Sequence, residues 1–219
     1  MDSVIDIAAA RALVSDADLW PRVRAFLWDF APQVDGSWLG GVPGIESLDA
    51  DVASSPRVRR HILQSLGVEP CFYAFAEKDF LRLALLDGPT LLSIARWLGA
   101  LSCVQSLRSV TKGAEVRALK AALPGVYPEV FAFTAYFPGI GGSDVSGKDA
   151  QSLGIEILLG LVSGLPEPLQ ARVKMKLPKG VCEFDSPQEG DGRKKPAADA
   201  RFVKKLLKLK FPEAYKLCC

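Results

Sequence analysis

An all-α protein is what this sequence predicts, and three observations carry the prediction. Helix start and stop signals recur along the chain, apolar residues between them fall at helical spacing, and strand patterns are scarce. The expected architecture is a compact, irregular multi-helix domain with room for one short hairpin or extended segment.

Residues 20–30 read as the first helix. Residues 32–54 are irregular and rich in Gly, Ser and Asp; loops longer than about 15 residues are uncommon unless they pack, so Trp38, Leu39, Val42 and Ile45 are the expected anchors. Ser55-Pro56 sets a capping residue and a first-turn proline before a helix over 57–66, and Gly67 is its natural stop. Residues 71–86 place Phe72, Phe75, Phe80, Leu83 and Leu86 near helical spacing, with Glu77, Lys78 and Arg82 off that stripe, which predicts an amphipathic helix.

Asp87 then caps a helix with Gly88-Pro89 in its first turn. Leu91, Leu92, Ala95, Leu98, Leu101 and Cys103 run nearly all round it, so it is expected at the buried centre. Residues 113–123 form a further helix that ends at Pro124-Gly125. Pro128 opens a short aromatic helix over 130–137, closed by Pro138-Gly139, and 139–144 is a loop. Ser146 or Asp149 caps a helix over 150–162, and Pro166 and Pro168 start one over 169–177. Within the last, Val173 to Leu177 also alternates with period two, which a strand would satisfy. Residues 183–199 have linker composition. The expected organisation is a helical domain over 1–182, a linker over 183–199, and a basic amphipathic helix over 200–219 docked on the domain.

With 49% apolar and 24% charged residues, the chain is far from the composition of disordered proteins. Its net charge of +2 is unevenly spread: from Arg172 onward 13 Lys and Arg face 6 acids, leaving 14 against 19 before it. A basic end on an acidic body favours acidic partners, within about 8 Å at physiological salt. Met1-Asp2-Ser3-Val4-Ile5-Asp6 lacks the positive start and apolar run of a secretory signal, and the most apolar interval, 130–142, is shorter than the roughly 20 residues of a spanning helix. A cytoplasmic protein without a transmembrane segment is expected.

Chemistry is hard to assemble from these residues. The five cysteines show no C-x-x-C spacing, and Cys71 and Cys103 lie in apolar surroundings where a thiol acts as a small hydrophobe. His61 is the single histidine and has no G-x-S-x-G partner. Glu77 with Asp79, and Asp49 with Asp51, are carboxylate pairs expected on solvated faces or loops. Gly139-Ile140-Gly141-Gly142 lacks the lysine and serine of a phosphate loop. Cys218-Cys219 resembles a double-cysteine prenylation end only superficially, because the small GTPases that use it carry a phosphate loop. No catalytic residue, cofactor or metal is therefore expected.

The segment from Arg201 to Phe211 is the most informative. Phe202, Leu206 and Leu209 lie at i, i+4 and i+7, while Lys204 and Lys208 share the opposite face. Arg201, Lys204, Lys205 and Lys208 are the candidate partner-binding residues. Such a helix completes its own core, binds an acidic groove, or lies on an anionic membrane. Aromatics between the lysines are too few for nucleic acid.

Three stretches carry a resemblance: Phe26-Leu27-Trp28-Asp29-Phe30-Ala31-Pro32 with Ser37-Trp38-Leu39; Leu85 to Ala100; and Lys174-Met175-Lys176-Leu177-Pro178 with its basic helical end. In these the chain resembles the SctK (YscK-type) accessory proteins of bacterial type III secretion. The resemblance implies a helical, non-enzymatic adaptor of the cytoplasmic sorting platform beneath the injectisome. Such an adaptor bridges the cytoplasmic domain of the inner-membrane ring component SctD and the pod protein SctQ, at the cytoplasmic face of the inner membrane. The alternative from the residues is a peripheral membrane-binding protein that uses the basic helix.

Overall fold

The computed structural model describes residues 13–45, 55–109, 111–133, 147–182 and 200–219; every regular element among them is helical. In chain order the helices are α1 (Leu19–Leu27), α2 (Pro56–Ser65), α3 (Gly88–Ser102), α4 (Val104–Ser109), α5 (Gly113–Ala122), α6 (Glu129–Phe133), α7 (Gly147–Leu161), α8 (Glu167–Met175), α9 (Lys179–Cys182), α10 (Ala200–Lys210) and α11 (Pro212–Cys218). Turns of 3-10 helix occupy Ala31–Gln33, Gly36–Gly41 and Phe80–Leu85. The protein is all-α, and the period-two run at Val173–Leu177 is helical through Met175. The chain divides into two units interleaved in sequence: Met1–Gly88, Val162–Lys179 and Glu213–Cys219 form one, Pro89–Leu161 and Gly180–Pro212 the other.

In the first unit, α1 is capped by Asp16, whose carboxylate accepts from the N–H groups of Asp18 (3.1 Å) and Leu19 (2.9 Å). Val23, Phe26 and Leu27 bury its inner face. The helix stops three residues short of Phe30; Pro32 has no N–H to bond back to the Trp28 carbonyl, and the 3-10 turn Ala31–Gln33 follows in place of a further α-turn. The expected anchors hold the next stretch down. Leu39, Val42 and Ile45 are buried, and the Trp38 Nε1–H donates to the Leu177 carbonyl at 2.8 Å. The Asp35 N–H adds a 2.8 Å bond to the Met175 carbonyl. Residues 46–54, with Asp49 and Asp51, lie outside the described residues.

At the start of α2, Ser55 has the extended backbone of a capping position but makes no side-chain cap bond. Its end is as expected: Gly67 takes φ +66° and the Val68 N–H reaches back to the Leu63 carbonyl. The amphipathic helix expected over 71–86 does not form. Residues 70–79 are irregular, and only Phe80–Leu85 coils, started by the Asp79 carboxylate accepting from the Leu81 N–H at 3.0 Å. Phe75 is the physical reason. It is buried with φ +48°, a left-handed conformation that no α-helix contains, and tertiary contacts hold it there.

The second unit is built on α3, whose residues from Leu91 to Leu101 are largely buried, as its nearly uniform apolar character requires. It crosses α7 at closest backbone approach. A Cβ on Gly99 would fall on the Ala150 carbonyl, and one on Gly154 would fall on the Ala95 carbonyl. Ala95 and Gly99, like Ala150 and Gly154, are four apart, so each helix presents one small-residue face to the other. Helix α5 packs on α7, and α4 on α6. Helix α7 begins at Gly147, which puts Asp149 inside its first turn instead of before it. The rest of the expected aromatic helix after Phe133, the loop at 139–144, Ser146 and residues 183–199 lie outside the described residues. Pro212 divides the expected helix over 200–219 into α10 and α11, since proline brings no N–H to continue α10.

Candidate interaction surfaces

Helix α10 positions the four predicted residues. Phe202, Val203, Leu206 and Leu207 are buried, so the apolar stripe completes the fold of the second unit. Arg201, Lys204, Lys205 and Lys208 are all exposed at i, i+3, i+4 and i+7, one cationic stripe about two turns long. Leu209, at i+7 from Phe202, is exposed with them and does not join the buried face. Lys210 marks the end of the helix: its ammonium lies 4.7 Å from the Trp97 ring centroid and 4.5 Å from that of Phe133, and it is paired with the Glu129 carboxylate. Two ring faces and one carboxylate thus hold the helix to α3 and α6.

Not every cation of the basic end is available to a partner. Arg172 on α8 and Lys176, the residue that caps its C-terminus one turn on, are buried, as is Arg82. All three donate to backbone carbonyls, although the Nε of Arg172 is buried without a partner. Arg172 Nη1 donates to Phe26 (2.8 Å) and Leu27 (2.7 Å), and its Nη2 to Glu69 (2.9 Å). Phe26 and Leu27 end α1, where the last carbonyls lack helical partners and the dipole is negative. Lys176 Nζ donates to Ala84 (2.7 Å) and Leu86 (2.8 Å) at the end of the Phe80–Leu85 turn. Arg82 fixes the left-handed Phe75 by donating to its carbonyl from Nε (3.0 Å) and Nη2 (2.8 Å), and it reaches Ala76 and Leu217 as well. These three are structural cations placed on segment ends.

Side chains with chemical potential are dispersed. His61 is exposed, its Nε2 3.0 Å from the Pro43 carbonyl. Glu77 is exposed, and Asp79 serves the backbone at Leu81. Cys103 is buried and Cys71 half-buried. Burial, with the neighbouring Cys219 and Asp79 adding to it, pushes the Cys218 thiol up to about 12, which leaves no thiolate at neutral pH. Among the described residues no three His, Cys, Asp or Glu gather as a metal site.

One surface escaped the sequence reading. On α1 and its C-terminal cap, Trp20, Arg24 and Trp28 line up at i, i+4 and i+8. Trp28 is 53% exposed; its ring centroid lies 5.7 Å from that of Trp20 and 6.2 Å from that of the partly exposed Phe72. Asp29 beside it accepts from Arg59 Nη1 at 3.0 Å and lies 3.7 Å from Arg24 Nε. The tryptophan spacing was legible, but Phe72 joins only because 70–79 is not helical.

No protein-family model, curated protein or solved structure matches the chain. No helix among the described residues is long and apolar enough to cross a membrane.

Proposed function

We propose that this protein is a non-catalytic structural adaptor of the cytoplasmic sorting platform of a bacterial type III secretion system, of the SctK (YscK-type) kind. In this role it sits at the cytoplasmic face of the inner membrane and bridges the SctD cytoplasmic domain and SctQ. One observation supports the reading above others: stretches that carry the resemblance, far apart in sequence, depend on one another in the first unit. Lys176 lies over the Phe26 ring at 4.6 Å and bonds Leu86, while Trp38 bonds Leu177. The cationic stripe of Arg201, Lys204, Lys205 and Lys208 is the proposed contact for an acidic partner.

Deleting the gene in its bacterium is expected to abolish effector secretion and platform assembly; normal secretion by the deletion strain refutes the proposal. Attachment to an anionic membrane remains the alternative use of the stripe. It would rest on charge and Leu209 alone, because Phe202, Val203, Leu206 and Leu207 are buried. Flotation with anionic liposomes separates the two uses: salt-sensitive co-flotation of the purified protein would favour the membrane.

A further inference from the structure

We infer that the Trp20, Arg24 and Trp28 stripe, extended by Phe72 and Arg59, docks an acidic, apolar-anchored segment of another protein. The inference goes beyond the secretion reading and stands on the first unit alone. Its apolar half is the run of three neighbouring rings, in which Trp28 is 53% and Phe72 37% exposed. Large rings left in water beside one another mark contact surfaces more often than scattered apolar residues do.

Its charged half gives the partner's sign. Helices α1 and α2 carry Arg22, Arg24, Arg57, Arg59 and Arg60 and no Asp or Glu, within the part of the chain where acids otherwise outnumber bases. Three carboxylates lie close by in sequence. Arg59 already holds Asp29 at 3.0 Å, the Asp16 carboxylate is taken by the N–H groups of Asp18 and Leu19, and Asp18 is exposed just before α1, so five arginines face three acids. Glu213, near Arg22, is bonded to Lys216 at 2.8 Å. Arg24 is 65% exposed and comes no nearer than 3.7 Å to Asp29, so its planar guanidinium is open to a carboxylate from outside. Trp and Arg are the side chains that most often dominate protein interfaces. A phosphate backbone fits less well, because it wants an unbroken run of cations and here Asp29 sits among them. The stripe is about 12 Å long, enough for two turns of a partner helix.

The test titrates the purified full chain, by calorimetry, with a synthetic helical peptide whose Leu and Phe stripe is bordered by glutamates, and with the same peptide carrying lysines instead. The glutamate peptide is expected to bind at least about tenfold more tightly, more weakly at high salt. Trp28→Ala and Arg24→Glu should each weaken it by at least about tenfold, as for central interface residues. Arg24→Glu should also gain affinity for the lysine peptide, and Arg117→Glu/Lys120→Glu, a charge reversal on the exposed face of α5, should leave both affinities unchanged, which ties the effect to this surface and not to net charge. If Trp28→Ala melts early, Phe72→Ala takes its place. The inference is overturned if neither peptide binds, if both bind alike, if the variants bind as the parent does, or if the same variants instead abolish binding to phosphatidylserine vesicles.

Discussion

The amine of Lys176 donates a 2.7 Å hydrogen bond to the Ala84 carbonyl and another to Leu86, inside the first unit. Burial lowers its pKa from 10.5 to about 7, with nearby Asp87 opposing the shift. Two N–H groups remain on a neutral amine, so both carbonyl bonds survive loss of the proton. The sign of the pH dependence follows. Between about pH 7 and 10.5 the unfolded chain binds the proton and the folded one does not, so this group makes stability rise with pH across that window. Below about pH 7 both states are protonated and its penalty is constant. Urea unfolding of the parent and of Lys176→Met at both ends of the window should show the parent gaining about 4 kcal/mol more than the variant. Parallel pH profiles would contradict a buried amine.

Arg172 closes the C-terminus of α1 in a way no other side chain can. Its planar guanidinium spans the carbonyls of Phe26, Leu27 and Glu69 at once, with its side chain above the Phe30 ring at 5.7 Å. Arg172→Met strands those carbonyls and should cost about 3 kcal/mol, and Arg172→Lys should recover little of it, because a single ammonium cannot reach all three. Equal stabilities for Arg172→Lys and the parent in urea titrations would show that charge alone is enough.

The helices that the sequence made legible are those whose ends carry their own signals. Pro56 and Gly67 bracket α2, Gly88-Pro89 opens α3, and Pro124-Gly125 follows α5, so local backbone chemistry settled them. The segment 71–86 misled because its aromatic spacing is helical while its backbone is dictated from outside, by Arg82 drawing the Phe75 carbonyl into a left-handed turn. The basic end misled in a second way: Arg172 and Lys176 look like surface charge in a Lys-rich run, but they are bound to carbonyls more than 80 residues away. Periodicity shows which residues share a helix face; it does not show which distant carbonyl a buried cation will meet. On α10 the spacing placed the four exposed cations and the buried Phe202 and Leu206 correctly, but it put Leu209 on the buried face, where it does not lie.

Gly99 and Gly154 allow α3 and α7 to touch along their backbones, each occupying the space a methyl group would need. Gly99→Ala and Gly154→Ala must push the two helices apart, and each should lower stability by about 3 kcal/mol or more, above the usual range for a single added methyl because the opposing atoms are backbone. Gly160→Ala, with open space at its Cβ, is the control on the same stretch of chain and should be neutral or slightly stabilising through helix propensity. Thermal melts of the three variants test this, and a mild Gly99→Ala would mean that the crossing is looser than described.

Lys210 separates the structural role of α10 from its proposed contact role. Its ammonium faces Trp97 and Phe133 and pairs with Glu129, while Lys204, Lys205 and Lys208 point away from the core. Removing the anchored charge with Lys210→Met should cost about 1–2 kcal/mol and speed hydrogen exchange along α10 before the rest of the second unit. Reversing the exposed charges with Lys204→Glu, Lys205→Glu and Lys208→Glu together should change stability by no more than about 1 kcal/mol while weakening partner binding. The opposite pattern, a stable Lys210→Met protein and an unfolded triple variant, would place the lysine stripe in the packing of the fold and remove it as a contact surface.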